Sequence, residues 1–212
     1  MKDVVLVGAG KFALEVARYI DDVTAGGADA YRITRYLALN GEPRHAPDEL
    51  TLPLEEFDPT PGARVVVAVS DTAQRRALLD GFIADHDLTP ESIVHPSASL
   101  AETCRHGVGN IVGPNCYVGV NVTIGDFNVV NYHCTVGHHT RIGSNNFIAP
   151  NFHCGNSVTV GDNNFFGLSC TLAPDVAVGD DCTFQAGLNI FDPARSGHSY
   201  FSPSRLKAIQ SL

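Results

Sequence analysis

At 212 residues the chain is long enough to bury a full core, as one large domain or two small ones. Its 14 Lys and Arg stand against 23 Asp and Glu, and the net charge of -9 makes nucleic acid and membrane surfaces poor partners, since it repels phosphate backbones and anionic lipid. No basic-then-apolar leader opens the sequence and no apolar run approaches the roughly 18 residues of a membrane span, so a cytoplasmic protein without membrane insertion is expected.

The chain opens on a β-branched run, Asp3-Val4-Val5-Leu6-Val7, followed by a Gly8-Ala9-Gly10 turn and an amphipathic helix with Ala13, Val16, Ala17 and Ile20 on one face. Such a turn offers backbone N–H groups at a helix N-terminus, which suits a phosphate or pyrophosphate, though it reads equally well as a structural turn. The dinucleotide fingerprint is incomplete. Ala13 follows Lys11-Phe12 where a third glycine belongs, and no acidic residue ends the second strand, where Leu37-Ala38-Leu39-Asn40 runs out; NAD is not expected. A strand over 31–39, another over 64–69 and a helix over 72–84 capped by Asp71 complete a small Rossmann-like α/β domain assigned to residues 1–90.

Counted in sixes from Val94 to Ile190, fifteen of seventeen positions are Val, Ile, Leu or Phe, and the next residue is Gly in ten cases. A six-residue beat of this length has no helical explanation. It marks a hexapeptide β-helix, in which short parallel strands stack about 4.8 Å apart around one apolar core. Asn110, Asn128, Asn146 and Asn164 recur every eighteen residues, so three hexapeptides make one coil of a three-sided prism over residues 91–212. Asn suits this slot because it tolerates left-handed corners and stacks in ladders. Five of the six cysteines fall two residues before an apolar position, and Cys154 falls on one. Without a C-x-x-C, all six are expected to point inward as small hydrophobes rather than to bind zinc or form disulfides.

A Gly-x-Gly α/β domain, then Val94-His95-Pro96-Ser97-Ala98, then a prism carrying Asn131 and Val136-Gly137-His138 resembles the bacterial hexapeptide-repeat acetyltransferases that act on nucleotide-linked amino sugars or on sialic acid. The resemblance implies a left-handed β-helix, a homotrimer and acetyl-CoA as co-substrate in the cleft between neighbouring prisms. It also implies an N-terminal domain that holds the nucleotide-linked sugar, and no metal. His138 aligns with the family's general base. From the repeat, it lies two residues after the inward Val136, at an outward corner where a neutral imidazole can take a proton from an attacking amine or hydroxyl. Asn156 stacks one coil beyond, so the Gly155 and Asn156 amides are candidates for the oxyanion site; Ala173 and Arg205 are further residues expected against the coenzyme. Gly8, Gly10, Lys11, Asn40, Ser70, Arg75 and Asn131 are expected on the sugar side. Arg75 reads equally as a surface residue of its helix, and His133 and His153 read as solvated or packing residues.

Several positions depart from the family pattern. His139, a second candidate catalytic residue beside His138, stands where relatives carry Asp or Glu next to the base, and a second imidazole cannot supply that charge; a carbonyl, a water or a carboxylate from elsewhere is expected to orient His138. Phe147 occupies the place of a second His, Lys11 replaces a glycine of the phosphate turn, Asn40 stands near a usual Asp, and the tail over 202–207 matches the coenzyme-packing tail only loosely. Two rivals follow. His133 and His138 have the spacing of a γ-carbonic anhydrase zinc pair, but their register differs and a third ligand is missing. A non-catalytic homologue that binds a nucleotide sugar is the other. Within the enzymes one base serves N- and O-acetylation alike, and the Gly-x-Gly domain favours a nucleotide-linked amino sugar.

Overall fold

The opening run becomes strand β1 (Lys2–Val7), whose side chains are buried on both faces: Val4 and Leu6 join one apolar cluster, Val5 and Val7 another. That is why the run shows no polar alternation, since β1 lies at the centre of a parallel sheet covered on both sides. The computed structural model describes residues 1–27 and 29–202. After β1 come α1 (Lys11–Gly26), β2 (Tyr31–Ala38), β3 (Thr51–Pro53), β4 (Arg64–Val67), α2 (Thr72–Leu78) and β5 (Thr89–Pro90), and the sheet order is β3-β2-β1-β4-β5. Asp71 caps α2, accepting the Gln74 amide at 2.7 Å, and the helix then widens into a π-turn over Leu79–Ile83.

From Ile93 onward every strand is two residues long, and the strands pair in parallel at a spacing of eighteen residues, as Val118 with Val136 and Val136 with Cys154, until the last pair, where Thr183 meets Ser199 after sixteen. The strands form three faces of six, five and seven, which close into a left-handed parallel β-helix. The inward slots hold Val118, Val136, Ile148, Phe166 and Phe184, all fully buried. Phe166 and Phe184 stack at 4.7 Å. All six cysteines are free, five of them buried and Cys104 half-buried. Burial pushes the Cys154 thiol up to about 11.

The asparagine ladder forms. The amides of Asn128, Asn146 and Asn164 each donate at 2.9 Å to the side-chain oxygen of the Asn one coil earlier, and Asn164 Oδ1 accepts the Cys182 amide at 2.7 Å. The left-handed corners, however, belong to a different row. Every sixth residue from Asn115 to Asp181 has φ between 54 and 63°. In front of the ladder that row supplies Phe127, Asn145 and Asn163, so the ladder asparagines are chosen for stacking and not for backbone conformation.

The α/β domain sits on the seven-stranded face. Ile93, Ile111, Val129 and Phe147, the outward residues of that face, share a buried cluster with Val16 and Ile20 of α1. Phe147 lies edge-on to Phe12 at 5.6 Å and stacks on Phe165 at 5.4 Å. The two corners flanking the face are gripped as well: Asn131 lies under the Tyr19 hydroxyl at 3.4 Å, and Asn145 binds Arg75.

Candidate active site

Open parallel sheets bind ligands at the carboxyl ends of their strands, and a cavity of about 710 Å³ lies there, lined by Gly10, Lys11, Asn40 and Ser70 together with Glu42, His45 and Gln74. Gly8 does not line it. Its φ is +120°, and a Cβ there would stand 2.6 Å from the Ala68 carbonyl, so this glycine serves the close approach of two chain segments.

Sequence reasoning missed Glu42. Its carboxylate accepts the amides of Ala9 at 3.0 Å, Gly10 at 2.8 Å and Leu39 at 3.1 Å. The turn amides expected to await a phosphate are therefore held by an internal anion. The signal was present as Asn40-Gly41-Glu42, a turn that swings an acid back over the end of the strand. The first helical amide to bond back is that of Leu14, to Gly10 O at 3.3 Å, which leaves the amides of Lys11 and Phe12 without a partner among the described residues.

Arg75 is neither a pocket residue nor a surface one, being 1% exposed. It donates through Nε to Asn145 Oδ1 at 2.6 Å, through Nη2 to Asn145 O at 2.9 Å and through Nη1 to Val69 O at 2.9 Å. Burial without an ion-pair partner pulls its guanidinium down to about 10, against a small opposing pull from Asp71. Asn131 is likewise buried, its Oδ1 accepting the Tyr132 amide at 3.1 Å. Both residues tie the domains together, and neither lines the cavity. Phe147, in the place of the relatives' second His, is the apolar part of the same joint.

His138 and His139 stand exposed at the corner between the six- and five-stranded faces, with His138 Nδ1 3.0 Å from His139 Nδ1 and the rings nearly perpendicular at 88°. His139 Nε2 lies 3.0 Å from the Asn121 side-chain amide, one coil earlier. Among the described residues, the one group that meets His138 Nδ1 is His139 Nδ1. His138 Nε2 has no partner among the described residues. Among the described residues, the polar and ring contacts of the His133 and His153 side chains are with Asn115, Tyr132 and Thr135. No group of His, Cys, Asp or Glu among the described residues is placed to hold a metal ion.

One coil beyond His138, the Gly155 amide donates to Leu172 O at 2.9 Å and the Ala173 amide to Ile190 O at 2.9 Å, so both are spent in the coil ladder. The Asn156 amide has no partner among the described residues. This is a property of its corner. In the row that ends the five-stranded face, the amides of Asp126, Ser144, Asp162 and Asp180 are each capped by a Ser or Asp side chain from the next coil, at 2.6–3.0 Å. In the His138 row Pro174 stands beyond Asn156 and offers no such acceptor. Arg205 lies outside the described residues.

In one chain His138 and the cavity do not meet. The corner that carries His138 is the edge opposite the seven-stranded face, on which the α/β domain sits, and the residues lining the cavity all come from that domain.

Residues 157–191 match the family model described as the hexapeptide repeat of succinyl-transferase. A mutant of perosamine N-acetyltransferase from Caulobacter crescentus, in complex with CoA and GDP-perosamine, has a similar structure with a TM-score of 0.78 at 22% identity, over 99% of this chain and 98% of that one. The acetyltransferase domain of PglB from Neisseria gonorrhoeae is similar with a TM-score of 0.74 at 22% identity, over 94% and 96% of the two chains. WeeI from Acinetobacter baumannii gives a TM-score of 0.82 at 16% identity, over 97% and 99%. No curated protein sequence matches significantly. The likeness is one of fold, and it extends over both domains.

Proposed function

We propose that the chain is an acetyl-CoA-dependent N-acetyltransferase acting on a nucleotide-linked amino sugar, with His138 as general base. The observation that carries this reading is the His138 corner: an exposed imidazole held by its Nδ1, with Nε2 open, one coil from the unpartnered Asn156 amide. In this reading His138 Nε2 takes a proton from the acceptor amine as the amine nitrogen adds to the thioester carbonyl. The Asn156 N–H faces the oxygen that gains charge. When the C–S bond breaks, the imidazolium returns its proton to the departing thiolate.

The cavity of the α/β domain suits the nucleotide part of the acceptor, with the Lys11 ammonium and the open Lys11 and Phe12 amides on the phosphate side. Because His138 lies on the edge away from that domain, one site takes His138 from one copy and the cavity from another, which agrees with a homotrimer of prisms. The structural neighbours lend support, since one holds CoA and GDP-perosamine and another is an acetyltransferase domain.

The test is mass spectrometry of reactions containing the protein, acetyl-CoA and UDP-, dTDP- or GDP-linked amino sugars, in which one added acetyl group is expected. His138→Ala should lower turnover by about 10² or more while leaving the assembly intact. Unchanged activity in that variant would remove the mechanism. A uniform negative with coenzyme binding intact would instead favour an O-linked acceptor or a binding-only protein.

A further inference from the structure

We infer that His139 is a positioning residue that fixes the tautomer of His138, and that Asn121 anchors it, a reading that rests on His138 being the base. A general base needs a bare Nε2, so its single neutral-state proton must sit on Nδ1. That proton needs an acceptor, and the atom 3.0 Å away is His139 Nδ1. Two nitrogens at this distance share one hydrogen, so His139 Nδ1 accepts and its own proton lies on Nε2. There the Asn121 amide stands at 3.0 Å. Its nearer atom is Nδ2, and a half-turn of the amide, which leaves its outline unchanged, presents Oδ1 as acceptor. The three groups then form one directed chain, from His139 Nε2–H to Asn121 and from His138 Nδ1–H to His139.

The opposite sense is the alternative state of the same chain. With Asn121 donating, His139 Nδ1–H points at His138 Nδ1, the His138 proton is forced onto Nε2 and the base is closed. A control exists one corner earlier, where His133 meets the Asn115 side chain at 3.3 Å but the preceding residue is Tyr132. An Asn beneath a His is therefore a feature of this row, and the imidazole pair is particular to His138 and His139. No carboxylate reaches either ring among the described residues. The carboxylate's place is taken by a neutral acceptor, which fixes orientation without adding charge.

The test is ¹⁵N NMR of histidine-labelled protein at about pH 8, above the usual imidazole range of about 6.5, with His138 assigned from its loss in His138→Ala. Wild-type protein should show His138 protonated at Nδ1 and bare at Nε2. His139→Phe keeps a ring but no acceptor, and should release His138 into a mixture of tautomers, with kcat down at least about tenfold and KM nearly unchanged. His139→Asp restores an acceptor and should return the Nδ1–H tautomer and most of kcat. The backbone tolerates both, since the same left-handed row holds Phe127, Asp175 and Asp181. A wild-type His138 protonated at Nε2, or an unchanged tautomer in His139→Phe, would overturn the assignment. The spectrum needs no substrate, so it decides the role of His139 separately from whether any acceptor is acetylated.

Discussion

Glu42 shows how one side chain can define a turn whose sequence pattern points elsewhere. Its two oxygens satisfy the amides of Ala9, Gly10 and Leu39, so the end of β1 and the end of β2 are joined through a single carboxylate. Truncation leaves these donors facing a cavity wall, with Ala9 and Leu39 themselves buried. Glu42→Ala should cost about 2–3 kcal/mol, read as a lower urea midpoint with an unchanged slope, and Glu42→Gln should recover part of it. The Asn40-Gly41-Glu42 turn brings the acid back over the strand end, but its partners are backbone amides, which no residue-type pattern names. Asn40 and Lys11 could be assigned to the cavity from strand and helix ends alone. The place of Arg75 could not be read, because two of its three acceptors lie seventy residues away on Asn145.

Regular elements of the prism were legible for a physical reason: each coil repeats the same slots, so a period in the sequence is a layer in the structure. The short strands β3 and β5 were not, being two or three residues long and each containing a proline. The ladder of asparagines allows a graded prediction within one element. Asn146 uses its whole side chain, accepting the Asn164 amide at 2.9 Å and donating to Asn128 Oδ1 at 2.9 Å and Gly161 O at 3.0 Å. Asn164 accepts the Cys182 amide, but its Nδ2 has no hydrogen-bond partner among the described residues. Asn146→Ala should therefore cost about 2–3 kcal/mol, since it orphans buried groups on both sides, and Asn164→Ala distinctly less, because it also removes an unpaired donor. Equal losses in thermal unfolding would mean that the ladder contributes through shape alone.

At the scale of the whole molecule, the position of the cavity relative to the prism depends on a joint of three kinds of contact. Apolar residues of the seven-stranded face meet α1, Phe147 meets Phe12, and Arg75 reaches Asn145. The face itself was readable in the sequence. Its outward positions run Ile93, Ile111, Val129, Phe147 and Phe165, whereas the five-stranded face presents Arg105, Thr123, Arg141, Thr159 and Ala177 in the same slot. Only a neighbour that removes them from water explains the first series. Arg75 is a buried polar contact of the joint, beside the Tyr19–Asn131 pair, and its loss leaves three buried oxygens without donors: Val69 O, Asn145 O and Asn145 Oδ1. Arg75→Ala should lower the stability of the α/β domain by about 3 kcal/mol or more and leave the prism, with its own ladder and core, unchanged. The expected calorimetric trace is a separate, earlier transition for residues 1–90 ahead of the prism's. Lys at this position should rescue little, because one ammonium cannot span the acceptors that the planar fork of Arg reaches. Under the proposed chemistry the same variant should raise KM for the nucleotide-linked acceptor more than KM for acetyl-CoA, since the acceptor is the substrate held by the domain that Arg75 fixes in place. A single transition shifted as a whole would instead mean that the two domains unfold as one unit and that the joint is not a boundary.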